Sequence, residues 1–204
     1  VAVGHFPAAQ LKAVRRQWEK RMSIKCSVYI AASVDGFIAR PDGDIEWLHK
    51  VEYTSPDKLS LSYDEFIATV DGLIMGRKSF EKVLSFSSWP YEDVPVIVLS
   101  SEDIEISDDL RGKVKVDRGN PIDIVSRLES AGNKHLYIDG GATIQRFLQS
   151  GLINEITVTQ IPVILGAGIP LFGSINVEKP LKHVETTSSS NGFVQSRYKI
   201  LNDA

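Results

Sequence analysis

From Ile24 onward the chain alternates short apolar runs rich in Val, Ile and Tyr with stretches whose apolar residues recur at helical spacing, and few architectures accept that alternation. Runs that are apolar at nearly every position need cover on both faces, as strands of a mostly parallel sheet have. Strands are predicted at Ile24 to Ala32, Leu73 to Gly76, Pro95 to Leu99, Lys113 to Val116 and His135 to Ile138. A helix is predicted from about Lys58 to Val70, where Leu59, Tyr63, Phe66, Ile67 and Val70 form one stripe and Asp71-Gly72 breaks it. Asn120-Pro121-Ile122-Asp123 supplies an N-cap, a first-turn proline and an acid for a second helix running to about Ala131. Ala142 to Gln149 is a third, stopped by Gly151. Strands then dominate: Ile153 to Ile161, Leu181 to Thr187, and Phe193 to Leu201 around Asn191-Gly192. The fold class is therefore α/β: a mixed sheet, mostly parallel, with antiparallel C-terminal strands and helices on both faces.

A length of 204 residues with 43% hydrophobic content suits one core, so residues 22–204 are read as a single domain and 1–21 as an N-terminal extension. In the extension Leu11, Val14 and Trp18 fall at helical spacing among Lys12, Arg15, Arg16, Lys20 and Arg21. That pattern fits a docked helix, a targeting remnant, or foreign sequence ahead of a natural start at Met22, the reading favoured here. The net charge of −3 comes without a basic stripe, which argues against a nucleic-acid partner. A lone Cys26 excludes an intramolecular disulfide, a cysteine-rich zinc site and the paired cysteines of a zinc deaminase. No metal site is expected. No apolar run has membrane-spanning length, and cytoplasm is the expected location.

Ligands of open α/β sheets bind beyond the carboxyl ends of the strands, so the loops there carry the function. Gly76-Arg77-Lys78-Ser79 ends a strand and opens a helix, bringing N–H donors, two cations and a hydroxyl together as a phosphate site would. A charged helix start is the commoner meaning of such a tetrapeptide alone. Asp139-Gly140-Gly141-Ala142-Thr143 makes the same kind of junction, its glycines allowing close backbone approach to a ligand or merely a tight turn. Gly166-Ala167-Gly168 imitates a dinucleotide fingerprint but meets Pro170 and Leu171 where a helix should begin, and Gly76-Arg77-Lys78 lacks the loop of a Walker motif. Both of those nucleotide-binding motifs are excluded. The fourth region is the first strand and its sequel, Ser33-Val34-Asp35-Gly36-Phe37-Ile38-Ala39 and Gly43-Asp44-Ile45-Glu46-Trp47-Leu48.

In this order and spacing the segments resemble the dihydrofolate-reductase-like superfamily, and within it the C-terminal reductase domains of riboflavin-biosynthesis deaminase-reductases and their stand-alone relatives. The likeness spans about residues 24–202. It also rests on Leu73-Ile74-Met75 before the Gly76 loop, on Val96-Ile97-Val98-Leu99-Ser100, on Leu136-Tyr137-Ile138, and on Pro162-Val163-Ile164-Leu165-Gly166-Ala167-Gly168-Ile169-Pro170-Leu171-Phe172, which favours the riboflavin branch over dihydrofolate reductase itself.

The resemblance implies NADPH as cofactor and hydride transfer to a small heterocyclic metabolite, the nearest class being 5-amino-6-(5-phosphoribosylamino)uracil. It implies that Gly76, Arg77, Lys78 and Ser79, joined by Ser100 and Ser101, hold nucleotide phosphates, with Arg77 toward the 2′-phosphate. Gly140, Gly141, Ala142, Thr143 and Ile144 would cradle the pyrophosphate, with a cis Gly140–Gly141 peptide, and Ala31 and Ala32 would line the nicotinamide side. Asp35, Trp47, Thr159, Leu165, Gly166 and Gly168 would shape the substrate end. For the proton, dihydrofolate reductases use a carboxylate on the first helix; the matching stretch here is near Ser60, leaving Asp35, Asp44, Glu46 and Asp64 as candidate catalytic acids, with water as another source. Relatives are often homodimers, and Ile153 to Ile161 is a possible pairing surface. The alternatives are a dihydrofolate or pteridine reductase, or a non-catalytic NADPH-binding or scaffold protein that kept the fold.

Overall fold

Strand β1 (Lys25–Ser33) is the axis of the molecule, parallel to β6 (His135–Asp139) on one side and to β7 (Glu155–Ile161) on the other. The computed structural model describes residues 23–50, 57–91, 94–173, 175 and 178–201. The predicted helix within residues 1–21 lies outside them. Beyond β6 follow β3 (Gly72–Gly76), β4 (Val96–Leu99) and β5 (Val114–Asp117), all parallel. Beyond β7 the sheet turns antiparallel through β10 (Val194–Ile200) to β9 (Leu181–Ser188), giving the order β5-β4-β3-β6-β1-β7-β10-β9. β2 (Phe37–Ala39) and β8 (Ile169–Pro170) pair separately as a small antiparallel ribbon.

Alternation along the strands divides the core into two layers. Ile74, Ile97, Leu136 and Ile138 face α3 (Pro121–Ser130) and α4 (Gly141–Gln149), where Ile124, Val125, Ile144, Phe147 and Leu148 are buried. Leu73, Met75, Val96, Val98 and Tyr137 face the other way, onto Phe66 of α1 (Tyr63–Ile67) and Phe80 and Val83 of α2 (Arg77–Leu84). Helices thus cover both faces of a mostly parallel mixed sheet, as the sequence predicts.

Two expectations need correction. The helix expected from Lys58 to Val70 is only Tyr63–Ile67, because Ser62 starts it: the Ser62 hydroxyl accepts from Glu65 N–H, and the Glu65 carboxylate accepts from Ser62 N–H and its hydroxyl in return. Residues before this box run as an extended strap held to the sheet by Gln195, whose amide accepts from Leu61 N–H and the Ser60 hydroxyl, both at 2.9 Å. The possible pairing surface at Ile153 to Ile161 has no free strand edge to offer, since β7 lies inside the sheet between β1 and β10. Among the described residues the sheet edges are β5 and β9.

Candidate active site

The carboxyl ends of β1, β3, β4, β5 and β6 open onto one cleft of about 1180 Å³. Its centre is a pair of helix starts on neighbouring strands. Gly76 caps α2 and Gly140 caps α4, and neither supplies a side-chain hydrogen bond to its helix. The first-turn N–H groups of both helices therefore lack capping side chains where the cleft lies, with the positive ends of both helix dipoles. The two starts pack closely. A Cβ on Gly140 would run into the Ser79 hydroxyl, and one on Gly76 would lie 3.2 Å from Thr143 Oγ1. Gly140 turns the chain with φ of 84°, a left-handed conformation, and no cis peptide occurs among the described residues. The cis Gly140–Gly141 bond implied by the resemblance is thus replaced by a positive-φ turn through a trans peptide.

Around this centre Arg77, Lys78 and Ser79 line the cleft with Gly76, and Gly140, Gly141, Ala142 and Thr143 line it opposite. At the β4–β5 end it is closed by Ser100, Ser101 and Glu102 and by Asp117, Arg118 and Gly119. The Ser100 hydroxyl is engaged within its own loop, accepting from Glu102 N–H and donating to the Glu102 carbonyl. Arg146, from α4, lines the cleft and donates to the Gly119 carbonyl at 3.0 Å.

Toward β1 the cleft is lined by Ala31, Ile38, Ile45 and Leu48, and on the α2 side by Tyr91, which packs in one cluster with Phe80. Here Asp139, the last residue of β6, lines the cleft and carries the most informative ionisation. Desolvation pushes its carboxyl above the usual carboxylate range, although Gly140 N–H and the Tyr137 hydroxyl, at 3.4 Å, pull it down. Tyr63 is pushed up to about 12 by burial and by the nearby Asp139, and Tyr91 is raised for the same two reasons. A carboxyl that keeps its proton beside an apolar wall can act as an acid.

Other candidates from the sequence lie elsewhere. Ala32 and Ile144 are buried in the core layer behind the cleft. Asp35 is an exposed residue that ties two loops: it accepts from the Ser33 hydroxyl at 2.6 Å and from the N–H groups of Leu165 and Gly166 at 3.1 and 2.7 Å. These bonds, the one from Ser33 foremost, hold its carboxyl below the ordinary range, the wrong direction for a proton donor. Glu46 and Asp64 are exposed and do not line the cleft. Trp47 is buried with Ile161 and Phe193 against Ala31, Leu48 and Leu165, one layer behind the wall. Thr159 is buried and accepts from the Gln195 amide at 3.2 Å. Gly168 lets β8 pass close to Ala39 and Phe37, where a side chain would collide with the Ala39 carbonyl. Leu165, Gly166 and Gly168 therefore support the wall without lining it.

Sequence reasoning missed Asp139, Tyr91, Lys82, Arg118 and Arg146 as lining residues. Asp139 had a readable signal, a carboxylate ending an otherwise apolar strand directly before two glycines.

The profile of the RibD C-terminal domain matches residues 25–195, nearly the whole described fold. The chain belongs to the RibD C-terminal domain family. Two proteins are similar along their whole length. The Bacillus subtilis (strain 168) protein YwjB is 32% identical over 179 residues, 87% of this chain and 98% of YwjB. A candidate riboflavin biosynthesis protein from Shewanella sp. PV-4 is 37% identical with a TM-score of 0.80, covering 88% of this chain and all of the other. Two further structures share the fold alone. One is the Thermotoga maritima diaminohydroxyphosphoribosylaminopyrimidine deaminase/5-amino-6-(5-phosphoribosylamino)uracil reductase, at TM-score 0.65 and 13% identity, matching 91% of this chain and 59% of that one. The other is the Enterococcus faecalis dihydrofolate reductase complexed with NADP(H), at TM-score 0.60 and 16% identity, over 87% and 97% of the two chains. The RibD C-terminal domain here is thus dihydrofolate-reductase-like in architecture, and its relatives of known activity are oxidoreductases.

Proposed function

We propose that this protein is an NADPH-dependent reductase that adds a hydride and a proton to a small heterocyclic metabolite, with the ribosylaminopyrimidines of riboflavin synthesis as the nearest known substrate class. One observation carries the reading: two uncapped helix starts, at Gly76 and Gly140, meet on adjacent strands within a cleft that also holds the desolvated carboxyl of Asp139.

The residues fit a dinucleotide. Backbone N–H groups at the helix starts after Gly76 and Gly140 are anion donors. Arg77, Lys78 and Ser79 hold phosphate from the α2 side, Arg77 toward the 2′-phosphate with Ser101 beside it. Gly140, Gly141, Ala142 and Thr143 take the pyrophosphate from the α4 side, and Ala31 lines the nicotinamide end. Ser100 shapes its loop, since its hydroxyl already serves the Glu102 backbone. Bound there, NADPH supplies the hydride.

The rest is the work of the chain. Ile38, Ile45 and Leu48 give the cleft an apolar lining that packs on a flat ring and excludes water. Asp139, protonated above the usual carboxylate range, gives its proton to the substrate heteroatom beside the reduced carbon. It takes the part that a first-helix carboxylate plays in dihydrofolate reductases; at the matching stretch Ser60 instead donates to Gln195.

The test is oxidation of NADPH by the purified protein against a panel of pyrimidines, pteridines and quinones. Turnover is expected with at least one nitrogen heterocycle and is expected to be fastest with a pyrimidine. Binding of NADPH with no turnover on any of them would leave the non-catalytic alternative standing in its place.

A further inference from the structure

We propose that Glu102 sets how the protein discriminates NADPH from NADH, by competing with the ribose 2′-phosphate for Arg77; the inference rests on the nucleotide site proposed above. Arg77 Nη1 lies 3.1 Å from Glu102 Oε2 and 3.4 Å from Glu81 Oε1. Glu81 is one turn along the same helix and also lines the cleft, an i,i+4 pair within one element. Glu102 comes from a different element, the loop after β4, and its place is built. Ser100 N–H donates to the Asp117 carbonyl at 3.2 Å, and the Ser100 hydroxyl holds Glu102 at both backbone groups, accepting from its N–H at 3.0 Å and donating to its carbonyl at 2.8 Å. Both Arg77 and Glu102 line the cleft.

Two other ion pairs form at this end, and Lys78 and Lys82 of α2 also line the cleft. Arg118 pairs with Asp103, and Asp117 accepts from Arg127 through both oxygens at 2.7 Å. Arg77 is the guanidinium from α2 that a 2′-phosphate would recruit, and it is held by a carboxylate that the phosphate must displace. A dianionic phosphate accepts from a guanidinium more strongly than a carboxylate does, but Glu102 stays close and repels it. A 2′-hydroxyl has the opposite preference, because it can donate to the Glu102 carboxylate as it does to the acidic residue of NAD sites. Arg77 and Glu102 therefore pull the selectivity in opposite directions, and the native protein discriminates only shallowly between the two cofactors.

The two halves of the claim separate with fragments that carry only the adenosine end. Binding of 2′,5′-ADP and of 5′-AMP is measured by calorimetry for the native protein, Glu102→Gln and Arg77→Ala, at one ionic strength. Glu102→Gln should tighten 2′,5′-ADP by about fivefold, the scale of one exposed charge interaction, and leave 5′-AMP unchanged or weaker. Arg77→Ala should erase the preference for 2′,5′-ADP. Glu102 is an exposed loop residue, and Glu102→Ala offers a second variant with the same expectation. An unchanged ratio of affinities in both Glu102 variants, with the preference lost in Arg77→Ala, overturns the role of Glu102 alone. Failure of 2′,5′-ADP to bind, or equal binding to the native protein and Arg77→Ala, overturns the nucleotide site itself.

Discussion

Asp139 and Asp35 are both aspartates at strand ends next to glycine, and their surroundings drive them apart. Asp35 is exposed and receives three hydrogen bonds, so it stays a carboxylate and holds two loops together. Asp139 is desolvated at the cleft, which favours its acid form. A carboxyl whose folded pKa is raised costs stability as pH rises from the ordinary carboxylate range through the folded value, because the folded state then gives up its proton against a penalty. Asp139→Asn should therefore lose turnover by about 10²- to 10⁴-fold while melting at a higher temperature near neutral pH. The native rate should fall as pH rises through the Asp139 pKa, and that limb should vanish from the residual rate of the variant. A variant with full turnover and an unchanged pH profile would remove Asp139 from the chemistry. Asp139 stood in a motif visible in the sequence, but the desolvation that raises its pKa is produced by the fold. Asp35 is legible as a turn former, while the hydrogen bonds that keep it a carboxylate come partly from a loop distant in sequence.

At the scale of elements, the strap ahead of α1 shows where periodicity stops being informative. Leu59, Tyr63, Phe66 and Ile67 read as one helical stripe, yet the capping box at Ser62 and Glu65 starts the helix late. The residues before it are held by contacts distant in sequence, which no local pattern reveals. Gln195 is fully buried and bonds the Ser60 hydroxyl, Leu61 N–H, the Leu61 carbonyl and the Thr159 hydroxyl. Gln195→Ala leaves several of these groups without partners and opens a cavity, at a cost of about 2–4 kcal/mol. Urea unfolding is the check: the midpoint should drop by that equivalent, with the strap between residues 57 and 62 becoming the earliest site of proteolysis. A midpoint within about 0.5 kcal/mol of the native protein's would mean that the network does not hold the strap. The helix starts at Gly76, Asn120 and Gly140 were legible, because glycine, asparagine and proline punctuate the chain locally.

For the whole molecule, the succession of parallel strands and the antiparallel ending were legible from the order of apolar runs and turns. Strand neighbours were not, since β6 inserts between β1 and β3 by a crossover that the sequence does not mark. That insertion is what makes the site: it sets the Gly140 helix start beside the Gly76 helix start, at the carboxyl ends of adjacent strands. β7 is interior for a separate reason, because β10 pairs along the edge that β1 leaves open, and β5 and β9 are the edges among the described residues. The family assignment and the cleft agree on a reductase architecture, and the cofactor is the claim on which the remaining proposals depend. Fluorescence titration of NADPH into the native protein and into Arg77→Ala tests it most directly. Saturable binding that weakens at least tenfold in Arg77→Ala, about 1.4 kcal/mol, is the result expected for a lost guanidinium–phosphate contact. No binding to the native protein, or equal binding to both, would contradict it.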